Sequence, residues 1–269
     1  MNKIYYCYPD GKHKVLTMSY DDGKQEDRKL IEIFNQYGIK GTFHLNYGLM
    51  DQEVRINREE IASLYEGHEV AAHTYTHPTI ARCPDTLVAK EVLDDRTGLE
   101  TLVSYPVRGL SYPNGSYDER IKGMLPHLGI KYSRTVNSTN SFVVPNDYFE
   151  WNPTCHHNEN LLELGKEFIS LQKKQYVYMM YVWGHSYEFP RDNNWELIEE
   201  FCKMVGNRDD IWYATNIQIV DYMECVERLQ YSATGDRVYN PSIQSVWLSV
   251  NDEIVEVKGG ENKLLGGNL

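Results

Sequence analysis

The sequence predicts an α/β protein built on a mostly parallel sheet. Segments with strand character alternate with segments of helical periodicity, in about seven β/α units. The chain has 269 residues, a length that a single β/α barrel commonly reaches. It contains no GxGxxG or phosphate-loop motif that would favour a nucleotide-binding fold. The alternation alone is compatible with a closed barrel and with an open, doubly wound sheet.

The predicted strands are short and apolar, and the predicted helices carry apolar residues three and four positions apart. The strands are expected at residues 15–20, 41–46, 68–72, 106–112, 131–135, 175–183 and 211–215. The helices are expected at residues 27–37, 57–67, 85–102, 117–128, 160–173, 195–205 and 217–229. Gly38 is placed to end the first helix, and Pro126 interrupts the fourth. Asn57, three residues before Glu60, resembles a capped helix start.

The character of the sequence changes after Gln230. Residues 245–250 and 254–257 have strand character and flank Asn251-Asp252, which suits a hairpin turn. No low-complexity linker separates this segment from the rest of the chain. We therefore predict that residues 1–230 form the β/α domain and that residues 231–269 form a small C-terminal β-hairpin extension packed on it.

Charge and composition disfavour several classes of protein. The formal net charge of −12 argues against nucleic acid and membrane as partners, because both require basic surfaces. Hydrophobic residues make up 41% of the chain, yet no apolar run approaches a membrane span. The five cysteines are odd in number and widely spaced, with no CxxC pair, so a disulfide framework is not expected in a chain of this length and a reduced compartment fits better. If Met1 is the native start, the polar N-terminus is no signal peptide and the expected location is cytoplasmic.

Two polar motifs at predicted strand ends indicate a metal site. Asp21 and Asp22 follow the first strand, and His73 and His77 follow the third. Two imidazoles, one carboxylate and an open position form the donor set of a catalytic zinc site, and the second carboxylate remains for proton transfer. Pro78 and the β-branched residues between the histidines disfavour a helix, so the two side chains must converge through a loop.

Further polar residues follow other predicted strands. His185 follows the strand at 175–183, and Tyr-Pro-Asn-Gly at 112–115 follows another. The C-terminal ends of barrel strands share one face, where active sites are built. Taken singly, Asp-Asp-Gly is commonly a polar turn, and HxxxH is a common spacing. Their shared topological position predicts a metal-assisted hydrolase.

The ordered motifs resemble the polysaccharide deacetylase family, the NodB-homology group of family 4 carbohydrate esterases. They are Ser-Tyr-Asp-Asp-Gly, His-Thr-x-x-His-Pro, Tyr-Pro-Asn-Gly and Trp-Gly-His-Ser, and the resemblance covers roughly residues 15–221. The third family pattern is Arg-x-Pro-Tyr, but Ser111 stands where arginine belongs and Asn114 follows the proline. The fourth, Asp-x-x-Asp-Trp, is only echoed by residues 147–151, where Glu150 departs from it. Residues 182–185 match the fifth, Leu-x-x-His, with a valine.

The resemblance implies a distorted (β/α)7 barrel and a divalent metal, usually zinc. Carried over by position, the metal ligands are Asp22, His73 and His77. Asp21 is then the general base and His185 the general acid.

Other residues are candidates for substrate contact. The resemblance gives the backbone N–H of Tyr112 a role in holding the oxyanion. The rings of Tyr112 and Trp151 could stack on a sugar, although Trp151 could equally belong to the core. Glu188 could orient the acid, line the substrate site or be a solvated loop carboxylate. Adjacent histidines rarely bind one metal, so one of His156 and His157 is interpreted as a possible substrate contact.

Three functional hypotheses follow. The first is a metal-dependent hydrolase that removes acetyl groups from N- or O-acetylated carbohydrate. The second is a hydrolase of non-peptide C–N bonds in small cyclic amides on the same scaffold, for which the missing arginine at position 111 is an argument. The third is a non-catalytic carbohydrate-binding protein, which the retention of base, acid and all three ligands disfavours.

Overall fold

Strands and helices alternate along the chain in the computed structural model, which describes residues 2–265. The strands are β1 (Ile4–Cys7), β2 (Lys14–Asp21), β3 (Gly41–Leu45), β4 (Glu69–Ala72), β5 (Gly109–Ser111), β6 (Tyr132–Arg134), β7 (Cys155–His156), β8 (Tyr178–His185), β9 (Ile211–Tyr213), β10 (Gln230–Tyr231), β11 (Arg237–Tyr239), β12 (Val246–Val250), β13 (Glu253–Val257) and β14 (Asn262–Leu264). The helices are α1 (Asp27–Gln36), α2 (Ile61–Leu64), α3 (Asp85–Val103), α4 (Glu119–Met124), α5 (Leu161–Ser170), α6 (Glu188–Arg191), α7 (Trp195–Val205) and α8 (Asn216–Glu227).

The main sheet is parallel and has the strand order β6-β5-β4-β3-β2-β8-β7, with β9 paired to the first residues of β2. Every residue of β2 is buried, as expected for the central strand of a sheet covered on both faces. Between β6 and β7, the N–H of Trp151 donates to Ser133 and its carbonyl accepts from Thr135. The segment around Trp151 thus extends the sheet from β6 in the direction of β7, and the sheet curls. The predicted α/β fold, a distorted (β/α)7 barrel, is confirmed.

Most predicted elements are present with shifted ends, and the exceptions have local causes. The helix predicted at 57–67 is a 3₁₀ turn followed by the four residues of α2. The strand predicted at 175–183 begins later and extends to His185. The two-residue strand β7 was not predicted, because so short a pairing leaves no periodic pattern in the sequence.

The predicted C-terminal hairpin is present as β12 and β13, with Asn251 and Asp252 at positive φ in its turn. The N-terminal strand β1 pairs antiparallel with β12, so this strand joins the sheet of the hairpin although the predicted boundary assigned it to the barrel. Strands β10, β11 and β14 form a second small sheet. Residue 1 and residues 266–269, which the predicted domains include, lie outside the described residues.

Two apolar clusters hold these layers together. One lies between the parallel sheet and helices α1, α3, α5 and α7, and the other joins α8 and the C-terminal strands to the barrel. Trp151 belongs to the second cluster, where it is fully buried against Tyr132 and Tyr181 at ring distances of 5.5 and 4.9 Å. Among residues 2–265, no helix combines the length and the apolarity needed to cross a membrane.

Candidate active site

The structure brings Asp22, His73 and His77 together at the C-terminal edge of the sheet. Their candidate ligand atoms all lie within 4.8 Å of one another. Asp22 directly follows β2 with φ of +80°, a left-handed conformation that aspartate tolerates better than most residues. The turn takes Asp22 out of the strand, so its side chain is 14% exposed whereas that of Asp21 is 3% exposed.

Hydrogen bonds from other elements hold the loop that carries both histidines. It is not helical, as predicted, and His77 has a φ of +61°. Asn46 donates to the carbonyl of His73 at 2.6 Å, and Asp95 of α3 accepts from the backbone N–H of His73 at 2.9 Å. Glu91, also on α3, accepts from the N–H and the hydroxyl of Thr76 at 2.7 and 2.6 Å. Hydrogen bonds from other elements therefore hold the two histidines in place, a role that the helix backbone plays in a helical HxxxH site.

His73 has the protonation and orientation of a metal ligand. Burial lowers the pKa of His73 to about 4, so the ring is neutral at neutral pH. Its Nδ1 lies 2.9 Å from the carbonyl oxygen of Ser111, an arrangement that assigns the proton to Nδ1 and leaves the Nε2 lone pair free. Ligating histidines are commonly oriented by such a carbonyl. With a carboxylate and a second imidazole alongside, the donor set fits a divalent cation of the zinc type.

Asp21 is a buried carboxylate kept ionised by its neighbours. Burial alone would raise the pKa of Asp21, but the guanidinium of Arg134, with which it is ion-paired, and the histidines around it hold that pKa well below its usual range. Ser111 donates its hydroxyl to Asp21 at 3.0 Å, and Nδ1 of His44 lies 3.4 Å from the carboxylate. Nε2 of His73 is 3.8 Å away.

Arg134 was not identified from the sequence. It ends β6, the strand next to β5, and is the register partner of Ser111, where the family pattern has its arginine; its side chain has no exposed surface. Its guanidinium lies 4.4 Å from the ring centroid of Trp183 and donates to the carbonyl of Thr135 at 3.0 Å. The sequence did carry a signal for it: Arg134 is a charged residue near the C-terminal end of the strand predicted at 131–135, where site residues are expected.

His185 and Glu188 form the other side of the site. His185 ends β8 directly beside Asp21, its register partner on β2. Oε1 of Glu188 is 3.5 Å from Nδ1 of His185, and the backbone N–H of His185 donates to Oε2 at 3.2 Å. Burial lowers the pKa of His185, but the carboxylates of Glu188, Asp21 and Asp22 together outweigh burial, and the net pKa is raised. Glu188 is buried, so it is not the solvated loop carboxylate considered from the sequence.

Two predicted substrate residues have other contacts. The N–H of Tyr112 donates to the carbonyl of Arg134 at 3.0 Å and its hydroxyl to that of Phe149 at 2.7 Å, so we assign it no oxyanion role. Trp151 is a core residue without exposed surface, which excludes stacking on a sugar. In the echo of the fourth motif, Glu150 pairs with Lys122 at 2.7 Å.

Comparison with known sequences agrees with the motifs. Residues 8–133 match the family model described as polysaccharide deacetylase. A chitooligosaccharide deacetylase of Rhizobium leguminosarum bv. phaseoli is 28% identical over 116 residues, which are 42% of this chain and 44% of that protein. A chitin deacetylase of Arthroderma benhamiae is 34% identical over 100 residues, which are 34% and 25% of the two chains. The chain thus spans less than half the length of these curated relatives.

Solved structures share the fold at low sequence identity. A Mycobacterium smegmatis protein proposed to be a polysaccharide deacetylase has a TM-score of 0.61 at 17% identity, covering 82% of this chain and 93% of its own. A wild-type family 4 carbohydrate esterase pseudoenzyme of Bacillus anthracis has a TM-score of 0.50 at 14% identity, covering 81% and 68%. The resemblance to polysaccharide deacetylases inferred from the motifs is confirmed.

Proposed function

We propose that this chain, which resembles polysaccharide deacetylases in sequence and shares their fold, is a metal-dependent hydrolase that removes acetyl groups from N- or O-acetylated carbohydrate. One observation carries the proposal: the Asp22, His73 and His77 cluster lies directly beside a buried, ionised Asp21. The substrate class is supported by the curated relatives, which are chitooligosaccharide and chitin deacetylases.

Asp22, His73 and His77 would hold the cation. A divalent cation at these ligands supplies a Lewis acid that activates water and polarises a carbonyl group. His73 is fixed by the Ser111 carbonyl, and Asp22 is kept in place partly by Arg55, whose guanidinium lies 3.7 Å from its carboxylate. Because Asp22 and His77 are partly exposed while His73 is buried, the open side of the cluster faces solvent and is where substrate would approach.

Asp21 would accept the proton of the attacking water. Its carboxylate is ionised at neutral pH and adjoins the ligand His73. Arg134 has two opposing effects on this role: it keeps the base deprotonated, and it makes the base weaker. Such a base suits a water that is already activated, because little additional basicity is then needed.

His185 would donate the proton to the departing amine or alcohol. Glu188 raises the pKa of His185 and so favours the protonated imidazolium that a general acid must present. The side chain of His185 is 21% exposed, which leaves it accessible to a leaving group.

Acetate release from chitooligosaccharides and acetylated xylan tests the proposal. Asp21→Asn, His185→Ala and His77→Ala are each expected to reduce kcat by about 10²-fold or more, because each removes a proton-transfer group or a metal ligand. Removal of metal with a chelator should abolish activity, and zinc should restore it. His127→Ala is the matched control, because His127 is exposed and precedes β6, at the amino-terminal ends of the strands and away from the site. Full activity in metal-free protein would contradict the proposal.

The same protein preparations separate the alternatives. Turnover of small cyclic amides without acetate release would favour the C–N hydrolase, although Arg134 now supplies the guanidinium whose absence at position 111 suggested it. Glycan binding without turnover by zinc-loaded protein would favour the non-catalytic hypothesis, and the Bacillus anthracis pseudoenzyme shows that this fold occurs without activity.

A further inference from the structure

A second group of metal-binding side chains lies next to His185. His156 ends β7, His157 follows it, and Glu188 opens α6. Nε2 of His156 and Nε2 of His157 lie 3.0 and 3.3 Å from the same oxygen, Oε2 of Glu188. The three candidate ligand atoms all lie within 4.8 Å of one another. The adjacent histidines therefore converge, because β7 ends at His156 and the chain turns there.

The spacing of these atoms is that of ligands around one cation. Metal–ligand bonds of about 2.0–2.2 Å at tetrahedral angles place neighbouring ligand atoms about 3.3–3.6 Å apart. The nitrogen–oxygen distance of 3.3 Å lies at the lower end of this range, and the distance of 3.0 Å lies just below it. The second of these contacts is not aligned as a hydrogen bond, since Nε2 of His157 has no hydrogen-bond partner among residues 2–265.

His157 is an imidazole that the protein buries without satisfying it. It has no exposed surface, and neither of its ring nitrogens has a hydrogen-bond partner in the described part of the chain. Its ring is stacked between Tyr20 and Phe189, at centroid distances of 5.7 and 4.3 Å. A Cβ at Gly184 would lie 2.0 Å from its Nδ1, so this position must be glycine for the ring to fit. An unsatisfied buried polar group costs stability, and a cation on Nε2 would remove the part of that cost that falls on Nε2.

The other contacts of Glu188 leave this side of its carboxylate available. Oε1 lies 3.5 Å from Nδ1 of His185 and 3.6 Å from the guanidinium of Arg191, which is 54% exposed. Oε2 faces the two histidines and accepts from the backbone N–H of His185. One carboxylate oxygen can therefore contact the proposed acid while the other binds a cation.

We propose that His156, His157 and Glu188 form a second divalent-cation site of the zinc type. Two imidazole nitrogens and one carboxylate oxygen suit zinc better than magnesium or calcium, which prefer oxygen ligands. His156 is partly exposed, which provides an entry path and room for a fourth ligand from solvent. Because Glu188 also contacts His185, the bound cation would fix the position of that histidine. The site shares no ligand with Asp22, His73 and His77.

Counting bound zinc tests the site without reference to activity. The full chain is stripped with a chelator, titrated with Zn²⁺ by calorimetry and analysed for metal after dialysis. We expect two equivalents for the wild type and one for His156→Ala. Glu188→Gln preserves the shape of the side chain and should also bind one equivalent of zinc. This second variant tests the site even if His156→Ala does not fold. Co²⁺ absorption should change in both variants.

Companion variants make the outcomes distinct. His77→Ala should also bind one equivalent, and His77→Ala with His156→Ala none, whereas His127→Ala should retain two. Loss of one equivalent in His156→Ala alone supports the second site even if the Asp22 cluster binds nothing. Unchanged zinc binding in both His156→Ala and Glu188→Gln overturns the second site, whatever the fate of the proposed function.

Discussion

At the scale of single residues, the ion pair of Asp21 and Arg134 decides the electrostatics of the site. Both side chains are almost fully buried, and the arginine comes from a different strand than the family pattern provides. A buried ion pair is not a source of net stability in itself, because desolvation opposes the attraction. Removal of only one partner leaves an uncompensated buried charge, and that asymmetry makes the pair testable.

Arg134→Met is expected to lower the free energy of unfolding by about 3–5 kcal/mol, because it strands a buried carboxylate. Adding Asp21→Asn to this variant should restore part of the loss, since the stranded charge is then removed. Denaturant unfolding of the wild type, both single variants and the double variant measures this coupling. The control is Arg108→Met, whose partner Asp221 lies 2.7 Å away in a half-exposed pair. That control should cost about 1 kcal/mol or less. Additive effects of the two buried substitutions would contradict the role of Arg134.

At the scale of elements, helix α3 determines the shape of the loop that carries His73 and His77. Glu91 and Asp95 lie one turn apart on this helix and accept hydrogen bonds from the loop backbone. The loop has no regular structure of its own, so its geometry is only as precise as these contacts. The two histidines of the HxxxH motif therefore converge because the loop that carries them is docked on helix α3.

Glu91→Ala is expected to weaken zinc binding at the Asp22, His73 and His77 cluster by about 10–100-fold, because supporting residues have effects of that size. Zinc affinity is measured by competition with a chromophoric chelator in the His156→Ala background, which isolates the first cluster. The matched control is Asp94→Ala on the same helix, because Asp94 is 40% exposed and pairs with Lys90. Equal zinc affinity in the two variants would show that Glu91 does not hold the loop.

At the scale of the whole molecule, Glu69 connects three elements at the amino-terminal edge of the sheet. Its carboxylate accepts from Thr42 of β3 at 3.0 Å, from Tyr132 of β6 at 2.8 Å and from the N–H of Ile217 of α8 at 2.9 Å. Burial raises the pKa of Glu69 to about 7, and these hydrogen bonds offset only part of that effect. The barrel and its last helix are thus joined through a carboxyl group that titrates near neutrality.

This pKa makes stability depend on pH in a defined direction. The unfolded pKa of glutamate is about 4.3, so between about pH 4.3 and 7 the native state binds the proton more tightly. The contribution of Glu69 to the free energy of unfolding is therefore present at low pH and lost as pH rises through 7, by about 2–4 kcal/mol. Glu69→Gln should remove this dependence, and exposed Glu163→Gln should not. Unfolding curves at several pH values measure the difference from wild type, and parallel curves for wild type and Glu69→Gln would contradict the assignment.

The sequence predicted the parts of the fold that local patterns encode. Alternating periodicity gave the β/α order, and the residues after strands identified Asp21, Asp22, His73, His77 and His185 because parallel strands share an edge. The N-terminal strand β1 was not predicted to pair with β12, because that pairing joins residues about 240 positions apart and leaves no local signal. Arg134 and Glu91 were also missed because each acts through a contact with a different element, although the position of Arg134 at a predicted strand end was an available signal.

The sequence by itself determined the chemistry offered at one edge of an α/β sheet: two carboxylates, two convergent histidines and a third histidine as candidate acid. Only the tertiary structure decided which groups surround them. The guanidinium of Arg134 pairs with Asp21, Glu188 faces His185, and Trp151 lies in the core. The physical reason is that residue spacing fixes side chains within one strand, whereas the shape of a loop, the contacts between distant segments and the pKa values that follow from them depend on how those segments pack.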